Sequence, residues 1–85
     1  MPDVVIYTKF MCPYCSRAKA LLDAKQVTYE EHDITSDAQA RADMIERSSG
    51  RTTVPQVFIG ERHIGGSDDL AALDRSGELA TLLAR

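Results

Sequence analysis

Val4-Val5-Ile6-Tyr7-Thr8 is a run of β-branched and apolar residues without polar alternation, the pattern of a strand buried on both faces. Such a strand needs helices over both of its faces, which points to an α/β fold. Lys9-Phe10-Met11-Cys12 follows, and then Pro13, which suits the first turn of a helix because its missing N–H would have no partner there. Ala18, Leu21 and Leu22 recur at helical spacing, so the sequence predicts a helix from about Pro13 to Lys25. Val27 and Tyr29 alternate with Thr28 and Glu30, predicting a second strand that ends before Ile34. Strand, helix and strand in that order make a right-handed βαβ unit with parallel strands.

The second half carries different signals. Ser36-Asp37-Ala38-Gln39 fits a capping box with Ser36 as the cap, opening a helix that turns Ala40, Met44 and Ile45 inward and stops near Gly50. Gln56-Val57-Phe58-Ile59, the pair Gly60-Glu61 and Arg62-His63-Ile64 predict a β-hairpin. Ser67 precedes Asp68-Asp69 and then Leu70 and Leu73, which predicts an N-cap followed by acids in the first turn. Gly77 breaks that helix, and Leu79, Leu82 and Leu83 form one last amphipathic segment. The expected order is β-α-β-α-β-β-α, with a short terminal helix after it.

Size and charge narrow the function. The chain has 85 residues, enough for a single domain over 1–85 and too few for a second core. A net charge of −3 argues against nucleic-acid binding by bulk electrostatics. No apolar run approaches the ~18 residues that would span a bilayer, and Met1-Pro2-Asp3 does not open a secretory signal. The expectation is a cytoplasmic protein without a membrane or nucleic-acid partner. Its two cysteines, Cys12 and Cys15, are too few for a disulfide framework, so a close pair in a reducing compartment means redox chemistry or metal binding.

Cys12 falls at or just before the first helical residue, where N–H groups without acceptors and the positive end of the helix dipole favour an anion. From Lys9 through Lys19 the segment holds Lys9, Arg17 and Lys19 and no acid. Both features favour a thiolate at Cys12, the form that attacks disulfides. A thiol so placed also leaves a mixed disulfide readily, which suits exchange catalysis better than storage of a disulfide. Cys15, one turn inside, is the expected resolving thiol.

Four motifs in register then resemble the dithiol glutaredoxins, small bacterial ones especially: Tyr7-Thr8-Lys9, Cys12-Pro13-Tyr14-Cys15, Thr53-Val54-Pro55 and Gly65-Gly66-Ser67-Asp68-Asp69. The resemblance implies a thioredoxin fold, a four-stranded mixed sheet flanked by helices, with Pro55 cis. It implies glutathione as the reducing co-substrate, and disulfide-containing or glutathionylated proteins as partners of a monomer. By the same resemblance Val54 pairs with the cysteinyl backbone of glutathione, and the Ser67-Asp68 helix start receives its γ-glutamyl carboxylate, a placement that anion binding at helix starts also favours. Asp68 holds the amine, Lys9 and Tyr14 line the approach to sulfur, Thr53 and Gly66 border the groove, and Arg41 meets the glycine carboxylate. Two departures stand out. Ser48-Ser49-Gly50 is one residue longer than in close relatives, and Ser67 stands where many members carry a third cysteine.

The same residues admit other readings. A thioredoxin-reductase-coupled redoxin is the alternative among enzymes, although the Trp of a thioredoxin site is missing here. A module binding an iron–sulfur cluster or a metal ion is the alternative from another class. His32 and His63 are the only imidazoles, and their spacing fits no common zinc pattern. No metal is expected. Arg51, Glu30, Glu31 and Asp33 are expected to be solvated surface charge.

Overall fold

The computed structural model describes residues 3–84; Met1 and Pro2, on which the expectation of no secretory signal partly rests, lie outside the described residues. Strand β1 (Val4–Thr8) leads into helix α1 (Pro13–Ala24), then β2 (Glu30–Asp33), α2 (Ala38–Arg47), β3 (Gln56–Ile59), β4 (Arg62–Gly65), α3 (Ser67–Ser76) and α4 (Glu78–Leu83). The sheet order is β2-β1-β3-β4. β1 and β2 are parallel, while β3 runs antiparallel to both β1 and β4. This is the thioredoxin-like, four-stranded mixed sheet that the sequence motifs implied.

Alternation along β1 and β3 explains the two layers of cover. Val4, Ile6, Val57 and Ile59 point to one face, where Ala18 and Leu22 of α1, Leu70 of α3 and Leu79, Leu82 and Leu83 of α4 close over them. Tyr7 and Phe58 point to the other face and meet Ala40 and Met44 of α2. Leu22, Leu70 and Leu79 are fully buried, and each such side chain contributes roughly 1.5–3 kcal/mol relative to exposure. The central strand is therefore buried on both faces, as its sequence predicts.

Three local expectations are corrected. The second strand begins at Glu30, after the Val27–Tyr29 segment that the apolar alternation had singled out. Val27 is instead drawn under the end of α1, its N–H bonded to Leu22 O at 3.1 Å. Parallel pairing with β1, from Val5↔Glu30 to Thr8↔Asp33, sets the real strand, and at a sheet edge polar side chains cost little. Asp37, not Ser36, caps α2: its carboxylate accepts from Ala40 N–H at 3.0 Å, while Gln39 turns to Asp43. Gly66, not Ser67, precedes α3, and the Asp69 carboxylate reaches back to accept from Gly66 N–H at 3.0 Å. Ser67 and Asp68 thereby become the first two helical residues. The α2 helix ends at Arg47, somewhat before Gly50.

Candidate active site

Cys12 is the N-cap of α1, in extended conformation, with Pro13 as the first helical residue. Its Sγ accepts from the Cys15 N–H at 3.2 Å, the capping role that an oxygen usually fills, and a thiolate accepts such a bond more strongly than a thiol. Cys12 is partly exposed and Cys15 buried, and neither is in a disulfide. Burial pushes the Cys15 thiol up to about 12, and its hydrogen bond with Cys12 adds to the rise. Met11, in the left-handed region at φ 55°, turns the chain into the helix. Phe10, Met11 and Tyr14 stand exposed beside the thiol.

This asymmetry predicts which thiol reacts. Burial thus holds Cys15 in its protonated form at neutral pH, away from the reactive thiolate. Brief iodoacetamide treatment of the reduced protein should add one label, found at Cys12 by peptide mass spectrometry. Equal labelling of both cysteines in folded protein would contradict the assignment of roles.

A cleft of about 200 Å³ takes Tyr14, which lies between the two cysteines on the first turn of α1, into its lining. Tyr14 forms one wall, and its ring lies 5.3 Å from the Arg17 guanidinium. Thr53, Val54 and Pro55 form the floor, with the Val54–Pro55 peptide cis. Gly66, Ser67, Asp68 and Asp69 close the far end, where α3 begins. Val54 precedes β3, and among the described residues neither its N–H nor its C=O enters a backbone hydrogen bond. The first-turn N–H groups of α3 have no acceptors within the helix, so this end of the cleft suits an anion.

The floor is held from beneath by a residue that the sequence did not reveal. Gln56 is fully buried. Its Nε2 donates to the carbonyl oxygen and the hydroxyl of Thr53 at 3.0 and 3.2 Å, and its Oε1 accepts from His63 Nε2 at 2.6 Å. Burial of such a polar side chain is tolerable because its bonds are made. His63 also stacks on Phe58, and His32 stacks on Tyr7 and pairs with Glu30 at 3.0 Å. Among the described residues no three His, Cys, Asp or Glu side chains converge as metal ligands would.

The structure thus brings Tyr14, Thr53, Val54, Pro55, Gly66, Ser67 and Asp68 to one cleft. Lys9 and Arg41 are exposed and are not part of its lining. Arg51 is, with its guanidinium 3.6 Å from Asp69; it is an exposed surface charge as expected, and it also borders the cleft. No local pattern marks Arg51; only the return of the loop before Thr53 brings it beside α3. Asp69 had a visible signal, since an acid three residues after Gly66 is the spacing of a capping box.

Comparison with known proteins agrees with this geometry. The glutaredoxin family model matches residues 4–64. Glutaredoxin 3 of Escherichia coli (strain K12) is 59% identical over 83 residues, which cover 98% of this chain and 99% of that protein. The solution structure of glutaredoxin from Brucella melitensis superimposes with a TM-score of 0.84 at 54% identity, over 98% of this chain and 89% of that one. A buckwheat glutaredoxin–glutathione complex gives 0.87 at 34% identity, over 98% and 77%. With a cap cysteine, a buried partner thiol and this cleft in one thioredoxin-like frame, the chain belongs to the glutaredoxin family, and its Cys pair fits the role of a thiol–disulfide oxidoreductase.

Proposed function

We propose that the protein uses glutathione to reduce protein disulfides and glutathione mixed disulfides. The observation that carries this reading is a cleft that joins Tyr14, two residues after the cap Cys12, to the helix start at Ser67 and Asp68. Glutathione is a short peptide with two carboxylates and an amine. One carboxylate meets the N–H groups at Ser67 and Asp68, with Arg51 nearby, and the Asp68 side chain takes the amine. The exposed backbone of Val54 pairs with the central residue, as an added strand pairs with a sheet edge. Lys9 and Arg41 serve the second carboxylate by charge, from outside the cleft lining.

In the reaction the Cys12 thiolate attacks a glutathionylated protein, forms the Cys12–glutathione disulfide and releases the protein thiol. A second glutathione thiolate then attacks the glutathione sulfur, yielding oxidised glutathione and restoring Cys12. With a protein disulfide, Cys15 resolves the intermediate instead. No helix among the described residues is long and apolar enough to cross a membrane. The reading is of a monomer in the reducing cytoplasm. A coupled assay with glutathione and glutathione reductase should support turnover, whereas thioredoxin reductase alone should not.

Asp68 offers a specific test. Its carboxylate on an ammonium is a charge-assisted contact of the kind that contributes about 1.5–3 kcal/mol, so Asp68→Ala should slow turnover of glutathione mixed disulfides roughly tenfold to a hundredfold. A cysteamine mixed disulfide has no γ-glutamyl group to lose, and its first exchange with Cys12 should hardly change. Equal slowing of both would mean that Asp68 supports the helix start and does not read the substrate.

A further inference from the structure

The resolving step needs the form of Cys15 that its surroundings oppose. Cys15 is 2% exposed, and burial disfavours the charged thiolate that must attack Cys12. Something fixed and positive beside it would ease this step. Lys19 follows Cys15 by four residues on α1, so the two share a helix face with Cβ atoms about 5–6 Å apart.

Lys19 is also held in place. Its Nζ donates to Glu31 Oε2 of β2 at 3.0 Å. The same oxygen accepts from the Thr8 hydroxyl at 2.7 Å. Thr8 is the buried last residue of β1, and the loop to Cys12 begins directly after it. An isolated surface ion pair is worth little because both side chains must be ordered. Here each side chain is only about a third exposed, at 32% and 34%, and a buried hydroxyl fixes the shared acceptor.

We propose that Lys19, held by Glu31 and Thr8, is a positioning residue for Cys15, the fixed counter-charge of its thiolate during resolution. The proposal rests on the two-thiol reading above. In the step, Cys15 loses its proton to water and its thiolate attacks Cys12 Sγ. The Cys12–Cys15 disulfide forms, and the bond from Cys12 to the substrate sulfur breaks. The leaving thiolate carries off the electron pair and takes a proton from water, so over attack and resolution together the cysteine pair is oxidised by two electrons and the substrate disulfide reduced by two. Lys19 keeps its proton throughout.

The neighbouring charges agree with that role. Glu31 is held below the usual carboxylate range, first by the Thr8 hydroxyl and then by Lys19. Its hydrogen bond holds Lys19 above the ordinary lysine value. Both therefore stay charged across neutral pH. The other titratable groups facing this cluster are Cys12 on the site loop, Tyr29 before β2, Asp33 at the end of β2, and Asp23 of α1 beside Tyr29. Lys19 is the ammonium among the charges that act on Cys15.

A symmetrical nitrothiobenzoate disulfide tests this in stopped flow. Attack by Cys12 releases one coloured thiolate, and resolution by Cys15 releases a second. A charge one helical turn away, screened between the limits of water and protein interior, changes a thiol's ionisation on the order of tenfold. Lys19→Gln should slow the second phase about fivefold to tenfold at neutral pH, more than it slows the first, and move the second phase's pH profile upward. Lys19→Arg should restore it. In a Cys15→Ser background the second phase is absent, and Lys19→Gln should change the remaining phase less than it changes the second phase of the two-thiol protein. Equal slowing of both phases, or a loss independent of pH that Arg does not repair, would make Lys19 a structural tie and overturn the proposal. The reagent contains no glutathione, so failure of the glutathione reading would appear in the Asp68 test and not here.

Discussion

Cys12→Ser should remove all disulfide-exchange activity, while Cys15→Ser should keep deglutathionylation within a fewfold of the native rate. A serine hydroxyl stays protonated at neutral pH and forms no disulfide, so the first exchange has no nucleophile. Cys12 alone combines access with the helix-start position and the N–H···S bond from Cys15. Cys15 lies one turn inside, buried, with its thiol pushed up to about 12, and enters only when the substrate calls for an intramolecular second step. Cys15→Ser should accordingly lose reduction of protein disulfides but still return glutathione from Cys12 to an external thiol. Thermal melts of both variants separate chemistry from folding. Comparable loss of deglutathionylation in the two folded variants would reverse the assignment.

Gly65→Ala should destabilise the protein by about 2–4 kcal/mol, a loss of roughly 10–30 °C in melting temperature for a domain of this size. Gly65 has φ +118°, and a Cβ there would meet Asp69 Oδ2 at 2.3 Å, Cγ at 2.8 Å and Cβ at 3.0 Å. Rotating the carboxylate away does not relieve the contact with the Asp69 Cβ, and it gives up the bond to Gly66 N–H that closes the start of α3. Because Ser67 and Asp68 ride on that start, turnover of glutathione mixed disulfides should fall together with stability. Gly77→Ala is the control. Gly77 also has positive φ, +85°, but a Cβ there meets nothing within 4 Å, so only the left-handed conformation of about 1 kcal/mol is at stake. If both variants lost the same stability, the close approach of Asp69 would not be what requires glycine at 65.

The placement of the thiols was legible because it is local. Cys12, Pro13 and Cys15 fall within one helical turn, and a helix start imposes its electrostatics on whatever residue sits there. The alternating faces of β1 were legible for the same reason, since the period of a strand belongs to the chain itself. Caps were less so: Ser36 and Asp37 are both competent, and the chain's entry into α2 selected Asp37. Polar β2 escaped apolar patterning altogether, because an edge strand is defined by the backbone it pairs with and not by side chains that it buries.

By itself the sequence determined the α/β class, the helix-start position of the cysteine pair and most of the cleft lining, since each depends on residues near one another in the chain or on motifs in fixed order. Tertiary structure alone decided that Arg51 lines the cleft while Lys9 and Arg41 do not, that Gln56 bridges His63 to Thr53, and that Thr8 and Glu31 hold Lys19 one turn from Cys15. These contacts join residues from separate strands, loops and helices. No periodicity encodes such a meeting; it comes into being only when the sheet orders its strands as β2-β1-β3-β4 and the helices close over both faces.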